Sequence, residues 1–366
     1  MAATASMPLL FAKKSGEILE KKDIRSMTRE ELISDFAQFD LPKYRAEQVY
    51  KWVSSGVEDF SQMTNISVEL RNKLSDYYFI PSVTVVKKLT SKIDNTVKYL
   101  YKLYDGNYIE SVLMEYKHGY TVCISTQVGC RMGCSFCASG LNGLTRNLAP
   151  SEMLAQVMMA GKDNNIRVSN IVLMGMGEPL DNFDNVLRFL HLVSSKDSLN
   201  IGLRHISLST SGVVPKIKEL AKHRLPITLS VSLHAPFDAI RTKMMKVNQS
   251  WNIQELIEAC KYYQSFTGRR ISFEYAMIDG VNDTTECAVQ LSKILKGIMC
   301  HVNLIPVNPV KENDYKKSSK ALLVAFAQKL NSLGVNTTIR RTLGSDIEAS
   351  CGQLRQKYQE NRGDTI

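Results

Sequence analysis

The amino-acid sequence predicts an α/β fold in which helices cover a parallel sheet, and three observations predict it. From Tyr120 onward, six short runs rich in β-branched residues alternate with helical patterns, the signature of strand–helix–strand units. Residues with distinctive chemistry fall just after those runs, where barrels and open α/β sheets both place their sites. The chain has 366 residues, 44% of them hydrophobic and 22% charged. That is ample for a large core and excludes wholesale disorder.

Residues 28–39 carry helical spacing, with Leu32, Ile33 and Phe36 on one face. Thr28 followed three residues later by Glu31 makes a capping box. Further helices are expected at 43–53, after Pro42, and at 68–78. Alternating stretches at 82–88, 97–103 and 108–114 predict a small β-meander. The six strands of the main domain are expected at 121–125, 170–174, 205–209, 227–233, 271–277 and 301–305. The helices between them are expected at 151–159, 186–193, 215–222, 253–266 and 286–296. A helix at 320–333 and a strand at 336–340 lead into a polar loop, 344–353. The expected organisation is a helical N-terminal accessory domain (1–80), a short β extension (81–119), a β/α core (120–335) and a C-terminal strand and loop (336–366). Six strands suit a partial barrel as well as a doubly wound sheet.

Lys and Arg exceed Asp and Glu, 46 against 36, for a formal charge of +10. Such an excess favours a polyanionic partner such as nucleic acid, although it also suits a merely soluble basic enzyme. No apolar run approaches the roughly 20 residues that span a bilayer. The apolar stretch 8–12 is too short for a secretion signal, and no Lys or Arg precedes it. A cytoplasmic protein without membrane contact is expected. No sustained heptads suggest a dimer seam, so a monomer is expected.

Four of the eight cysteines, Cys123, Cys130, Cys134 and Cys137, fall within fifteen residues. In a cytosolic chain such a cluster reads as a metal or redox site. The last three are spaced C-x3-C-x2-C. Three thiolates on one loop can each bind one iron of a [4Fe-4S] cluster and leave the fourth iron open to a small molecule. Gly129 and Gly133 would let the loop turn tightly. A zinc site would need a fourth ligand from elsewhere, because the loop contains no His.

This spacing, after the first strand of a sixfold β/α pattern, resembles the radical S-adenosylmethionine (AdoMet) enzymes. The resemblance implies a partial (β/α)6 radical SAM barrel, a [4Fe-4S] cluster on Cys130, Cys134 and Cys137, and AdoMet chelated to the open iron. In that superfamily one electron from the cluster cleaves AdoMet to a 5′-deoxyadenosyl radical, while the protein orients the cofactor and excludes water.

Five further segments narrow the match: VLMGMGEPL (172–180), LSTSGVVP (208–215), SLHAP (232–236), NLIPVNP (303–309) and RTLGSDIEASCGQL (341–354). Together they are similar to the RlmN/Cfr family, which methylates a ring carbon of adenine in RNA. The similarity covers nearly the whole chain. It implies that Cys351 accepts a methyl group from a first AdoMet. A second AdoMet then supplies the radical that activates the S-methyl group for addition to the adenine carbon, so two AdoMet are used per turnover. It also implies a transient disulfide between Cys123 and Cys351, and Glu110 as candidate proton acceptor. The implied AdoMet contacts are Gly177, Glu178, Ser209, Ser232, Leu233, His234 and Asn308.

The implied substrates are 23S rRNA near the peptidyl transferase centre and tRNA beside the anticodon. The implied electron donor is a flavodoxin or ferredoxin. Ser139 stands where the family usually shows Thr, which keeps the hydroxyl. Pro179 and the Trp-containing segment 44–53 resemble the C2-methylating branch. The C8-methylating branch, which confers resistance to ribosomal antibiotics, is the alternative. A cluster-bearing RNA-binding protein without methyl transfer is a second alternative, and it would have no need of Cys351.

Other residues have blander readings. Cys260, Cys287 and Cys300 fit core positions on two helices and a strand. Taken alone, His234 would more often be a satisfied core histidine. Candidate phosphate contacts are Arg269, Arg270, Arg340, Arg341, Lys316, Lys317 and Lys320, each of which also fits a solvated face. The N-terminal domain is the natural place for additional RNA contact.

Overall fold

The computed structural model describes residues 11–14, 17–81, 83–307, 314–347, 354 and 358. Asn308 and Cys351 lie outside the described residues. The N-terminal part comprises β1 (Phe11–Lys14), β2 (Glu17–Glu20), β3 (Lys22–Asp23), α1 (Arg29–Ala37), α2 (Lys43–Ser54), α3 (Val68–Tyr77) and β4 (Tyr78–Phe79). The meander is β5 (Val83–Thr90), β6 (Val97–Leu103), β7 (Tyr108–Tyr116) and β8 (Gly119–Cys123). A hairpin of β9 (Gln127–Gly129) and β10 (Leu144–Asn147) follows. Next come α4 (Pro150–Asn164), β11 (Val168–Leu173), α5 (Phe183–Ser194), β12 (Ile206–Thr210), α6 (Val214–Lys222), β13 (Thr228–Ser232), α7 (Asp238–Met244) and α8 (Ile253–Thr267). The chain continues through β14 (Ile271–Met277), α9 (Thr285–Ile294), β15 (Cys300–Pro306), α10 (Lys320–Ser332) and β16 (Thr337–Ile339).

One ten-stranded sheet organises the molecule, in the order β16-β15-β14-β13-β12-β11-β8-β7-β6-β5. Strands β8 and β11–β16 run parallel, and β5–β8 form an antiparallel meander on the same sheet. Strand β8 is the joint, pairing antiparallel with β7 and parallel with β11. All six expected core strands are present within a few residues of their expected bounds. The sequence reading missed α7 and the β9–β10 hairpin, both too short to establish a period.

The central parallel strands β13 and β14 are buried on both faces, as crossover helices require, whereas the edge strand β16 is partly exposed. Helix α4 shows why these segments fold as they do. Pro150 at its first position suits the fixed φ of a helix start. The Glu152 carboxylate accepts from the Ala149 N–H at 2.8 Å, and Asn165 in the left-handed conformation ends the helix. Its inner face buries Met153, Leu154, Val157 and Ala160 in the main core, each large side chain contributing roughly 1.5–3 kcal/mol.

The N-terminal helices have their own apolar cluster around Ile24, Leu32, Phe36, Val49, Val53 and Leu74. Thr28 caps α1 with Glu31 as expected. Polar contacts fasten this module to the barrel: Ser151 Oγ donates to the Asp23 carboxylate at 2.5 Å, and Arg188 donates to the Ser26 carbonyl at 3.0 Å and pairs with Glu31. Among the described residues, no helix is long and apolar enough to cross a membrane.

A buried ionic knot joins hairpin, helix and meander. The Arg146 guanidinium is held in a bidentate pair by Glu152, both contacts 2.8 Å, and by Asp105 at 2.5 Å. Removing one partner of such a knot leaves an uncompensated buried charge, at a cost of about 3–5 kcal/mol. Arg146→Leu is therefore expected to lower the urea midpoint by that equivalent. An unchanged midpoint would show that the knot contributes nothing to stability.

Candidate active site

The three clustered cysteines sit on the loop that closes the β9–β10 hairpin. Gly129 pairs with Leu144 across it, and the Cys130 N–H donates to the Gly143 carbonyl at 2.8 Å. Gly129 has a φ of +80°, and a Cβ there would lie 2.1 Å from the Gly143 oxygen, so no other residue fits. Gly133, at φ +60°, turns the loop between the first two cysteines. The Cys137 N–H donates to the Cys134 carbonyl at 3.1 Å. The loop's Met132, Cys134 and Phe136 pack against Ala235, Met244 and Ile278, and the Ser135 N–H donates to the Met244 carbonyl at 2.9 Å. An apolar bed thus lies beneath the thiols and limits access of water.

The thiols feel one another. Burial first, then Glu178 and the Cys137 thiolate, pushes Cys130 up to about 12, and burial followed by the Cys137 and Cys130 thiolates pushes Cys134 well above its ordinary value. A soft cationic group would reverse that penalty by taking the thiolate form. Among the described residues, no three His, Cys, Asp or Glu side chains close on a single point as they would around one metal ion. A cubane asks less convergence, because each thiolate meets a different iron. The donor set of three thiols on one loop, without His or carboxylate, fits an iron–sulfur cluster.

Two strand ends face this loop. After β11, the Met176 carbonyl accepts from the Thr126 and Gln127 N–H groups at 2.8 and 3.2 Å, and the Met176 N–H donates to Ser125 Oγ at 3.1 Å. A Cβ on Gly177, at φ +110°, would meet Gln127 and Thr126 atoms within 2.8 Å. The expectation was that Gly177 admits a ligand, but the structural need for glycine here comes from the neighbouring strand. Glu178 is buried, and its two carboxylate oxygens accept from the Leu180 and Ser211 N–H groups at 3.0 and 2.6 Å. Burial nonetheless raises its pKa. The carboxylate braces the β11 and β12 loops, a role the sequence did not suggest.

After β13, His234 adopts φ +57°, uncommon outside glycine and a mark of a constrained site. Its Nδ1 accepts from the Ala276 N–H at 2.9 Å, so any ring proton sits on Nε2. Burial, then Arg241, brings its pKa down to about 3. The imidazole meets Phe136 of the cysteine loop edge-to-face at 4.9 Å. Ser209 and Ser232 are half-buried at the ends of β12 and β13. Leu233 is fully buried within the core, so any ligand contact it makes comes through its main chain.

Arg241 on α7 was not foreseen, because nothing in a short amphipathic stretch marks one Arg as buried. Its guanidinium donates to the carbonyls of Ser211, Ser232 and Leu233 at 2.7, 3.1 and 3.1 Å and to Asn248 at 2.7 Å. Burial brings its pKa down to about 10. It ties the ends of β12 and β13 to the helix that also receives Ser135.

Cys123 ends β8 and is buried beside Val112, Met114 and Leu343. Glu110 lies on β7 and pairs with Lys98 at 3.0 Å. Leu343 and, eleven residues on, Leu354 pack on this face of the meander, Leu354 against Leu100 and Tyr108. Cys351 lies between those two anchors in sequence. Cys260 and Cys287 are buried core residues as expected, and Cys300 is half-buried at the start of β15. Arg269 and Arg270 precede β14, at the N-terminal strand ends and away from the cysteines. Arg340 and Arg341 follow β16 on the site's side. A cavity of about 550 Å³ between α2 and α4, lined by Ser54, Met158, Lys162 and Arg167, also lies away from the cysteines.

Residues 124–289 match the radical SAM superfamily, and residues 22–80 match the ribosomal RNA large subunit methyltransferase N-terminal domain. A probable dual-specificity RNA methyltransferase RlmN of Lachnoclostridium phytofermentans is 52% identical over 94% of this chain and 97% of its own. A protein of the same description from Clostridium novyi is 51% identical over 93% and 99%. A radical SAM methyltransferase of known crystal structure from Sphaerobacter thermophilus superposes with a TM-score of 0.87 at 41% identity, over 91% of this chain and 98% of that one. Half-identity that runs from the N-terminal helices through the barrel to the C-terminal loop shows that the chain belongs to the RlmN family of the radical SAM superfamily.

Proposed function

We propose that the chain is an RNA methyltransferase that places a methyl group on C2 of adenine in 23S rRNA and in tRNA. The observation that carries this reading is the packing of the three-cysteine loop against His234, on the same barrel whose β8 ends in Cys123. The dual RNA specificity of the relatives and the rRNA methyltransferase N-terminal domain support the substrate class. When bound, the [4Fe-4S] cluster supplies one electron to AdoMet, which provides both the methyl group and the radical that activates it.

The protein's own residues do the rest. Cys130, Cys134 and Cys137 hold the cluster. The strand ends bearing Gly177, Glu178, Ser209, Ser232, Leu233 and His234, with Asn308, form the AdoMet cradle. A neutral imidazole at His234 suits a sulfonium ligand, since it adds no positive charge beside it. Cys351 carries the one-carbon unit as a thioether, Glu110 accepts the proton displaced from the adenine carbon, and Cys123 closes a disulfide with Cys351 as product leaves. Extrusion of the adenine into this end of the barrel would meet the reach these groups require. The N-terminal domain, residues 1–80, adds RNA contact, and Arg340 and Arg341 lie on the side where phosphates would pass. The electron donor is a flavodoxin- or ferredoxin-like protein, and the enzyme works as a cytoplasmic monomer.

Reconstituted anaerobically with AdoMet, a reductant and unmodified large-subunit rRNA, the enzyme should yield 2-methyladenosine on nucleoside mass spectrometry. 8-Methyladenosine would instead overturn the choice of carbon. Cys351→Ala should abolish methyladenosine while iron content and AdoMet binding by equilibrium dialysis stay native. Retained methylation would refute the two-cysteine route. His234 has a folded pKa of about 3 against an ordinary 6.5, so the unfolded chain binds its proton first as pH falls. Its contribution to stability is complete above pH 6.5 and is lost towards pH 3, by up to about 1.4 kcal/mol per pH unit. Urea midpoints of His234→Asn should therefore fall less steeply between pH 6.5 and 4 than those of the native protein, and parallel slopes would contradict this.

A further inference from the structure

The meander carries a buried ion pair that the proposed chemistry uses on only one side. Lys98 on β6 is wholly buried, Glu110 on β7 is 3% exposed, and their Nζ and Oε2 atoms lie 3.0 Å apart. The register fixes what shares their face. Lys98 pairs with Val112 and Val112 with Cys123, while Leu100 pairs with Glu110. Directly opposed residues project from one side of a sheet, and so do residues two apart. Lys98, Glu110 and Cys123 therefore stand on one face. Val112 and Cys123 on that face touch Leu343, and Leu100 touches Leu354, the two anchors that flank Cys351 in sequence.

The backbone of Glu110 is held as firmly as its side chain. Ser125 Oγ donates to the Glu110 carbonyl at 2.6 Å and accepts from the Met176 N–H at 3.1 Å. One hydroxyl thus links the β7 main chain at Glu110 to the loop after β11. The main chain of Ser125 is itself clamped by Gln156, at 2.8 and 3.0 Å. The pair sits where stability alone would be served as well by two apolar residues, because desolvating two charges offsets most of their attraction. A charge pair on the same face as a redox-active cysteine is better explained by use.

We infer that Lys98 is a positioning residue, which fixes the Glu110 carboxylate on the face shared with Cys123 so that it can accept the proton displaced from the adenine carbon. This inference rests on the methyltransferase reading above. Lys98 acts through Glu110 and touches neither RNA nor AdoMet. Its removal should spare the first half of the reaction, methylation of Cys351, and impair the second.

Four forms of the full-length, cluster-loaded enzyme separate these roles: native, Lys98→Met, Glu110→Gln and the double variant. Each is assayed for iron content, for S-methylation of Cys351 by peptide mass spectrometry, and for methyladenosine formed per minute. Lys98→Met should retain iron and S-methylcysteine yet lose about ten- to hundredfold in methyladenosine, a part of the roughly 10²- to 10⁴-fold that a general base contributes. In the Glu110→Gln background the same change should cost less than about twofold, since the group it positions is already gone. An equal loss in both backgrounds would overturn the inference, as would native turnover in Lys98→Met. If Lys98→Met fails to load its cluster, the neutral double variant decides, because it leaves no lone buried charge. Intact S-methylation with methyladenosine equal to that of Glu110→Gln supports positioning, and a further loss refutes it. Absence of methyladenosine from the native enzyme would instead overturn the methyltransferase reading, and this inference with it.

Discussion

The approach of two backbones beside β8 is the constraint on which the rest of the site depends. A Cβ at Gly175 would lie 2.5 Å from the Ile124 carbonyl oxygen, and one at Gly177 would lie within 2.8 Å of Thr126 and Gln127. With no side chains at those two positions, the Met176 carbonyl can accept from the Thr126 and Gln127 N–H groups while its own N–H donates to Ser125 Oγ. That exchange extends the β8–β11 pairing past the end of both strands. It sets where β9 begins, and β9 carries the hairpin that presents Cys130, Cys134 and Cys137. It also aims Glu178 at the Ser211 N–H, so the third strand end is registered against the second. Larger residues at either glycine would push the cysteine loop away from the strand ends that complete the site.

The strand ends are then locked by buried polar groups, with few contacts left to chance. Glu178 spans β11 and β12, Arg241 spans β12 and β13, and the His234 ring hangs from β14 through the Ala276 N–H. Buried polar groups are expensive unless satisfied, and satisfied networks rigidify. The arrangement suits chemistry that must exclude water around a reactive carbon. It also explains why a histidine whose sequence suggested either a core residue or a ligand contact proves to be both buried and satisfied, with Nε2 the only ring nitrogen left to face a ligand.

Much of the fold was legible because long elements carry strong periods. The helices at 253–267 and 320–332 and the strand at 271–277 lie where spacing placed them. The cysteine loop was legible because spacing alone limits what three thiols can hold. Other features were hidden for physical reasons. Helix α7 spans only Asp238–Met244, under two turns, and its key residue is a charge where a periodic reading expects a solvent-facing side chain. The continuity of the meander with the parallel sheet depends on β8 pairing with strands on both sides, a non-local fact. Sequence treated Glu178 as a ligand contact, and only the register shows its oxygens already engaged by Leu180 and Ser211.

Lys98 shows the same limit most sharply. On β6 it stands in the run VKYLYKL, where Lys98 and Lys102 look alike as the polar residues of a half-exposed strand. Strand β6 is central in the antiparallel half of the sheet, flanked by β5 and β7, so both of its faces can be covered. Lys98 is wholly buried, whereas Lys102, four residues on, is exposed. Alternation gives both lysines the same face, and what sets Lys98 apart is its pairing with Glu110 on the neighbouring strand. Burial of this kind makes a polar strand position costly unless it is paired, and the pairing with Glu110 across the β6–β7 ladder meets that demand with groups that chemistry can also use.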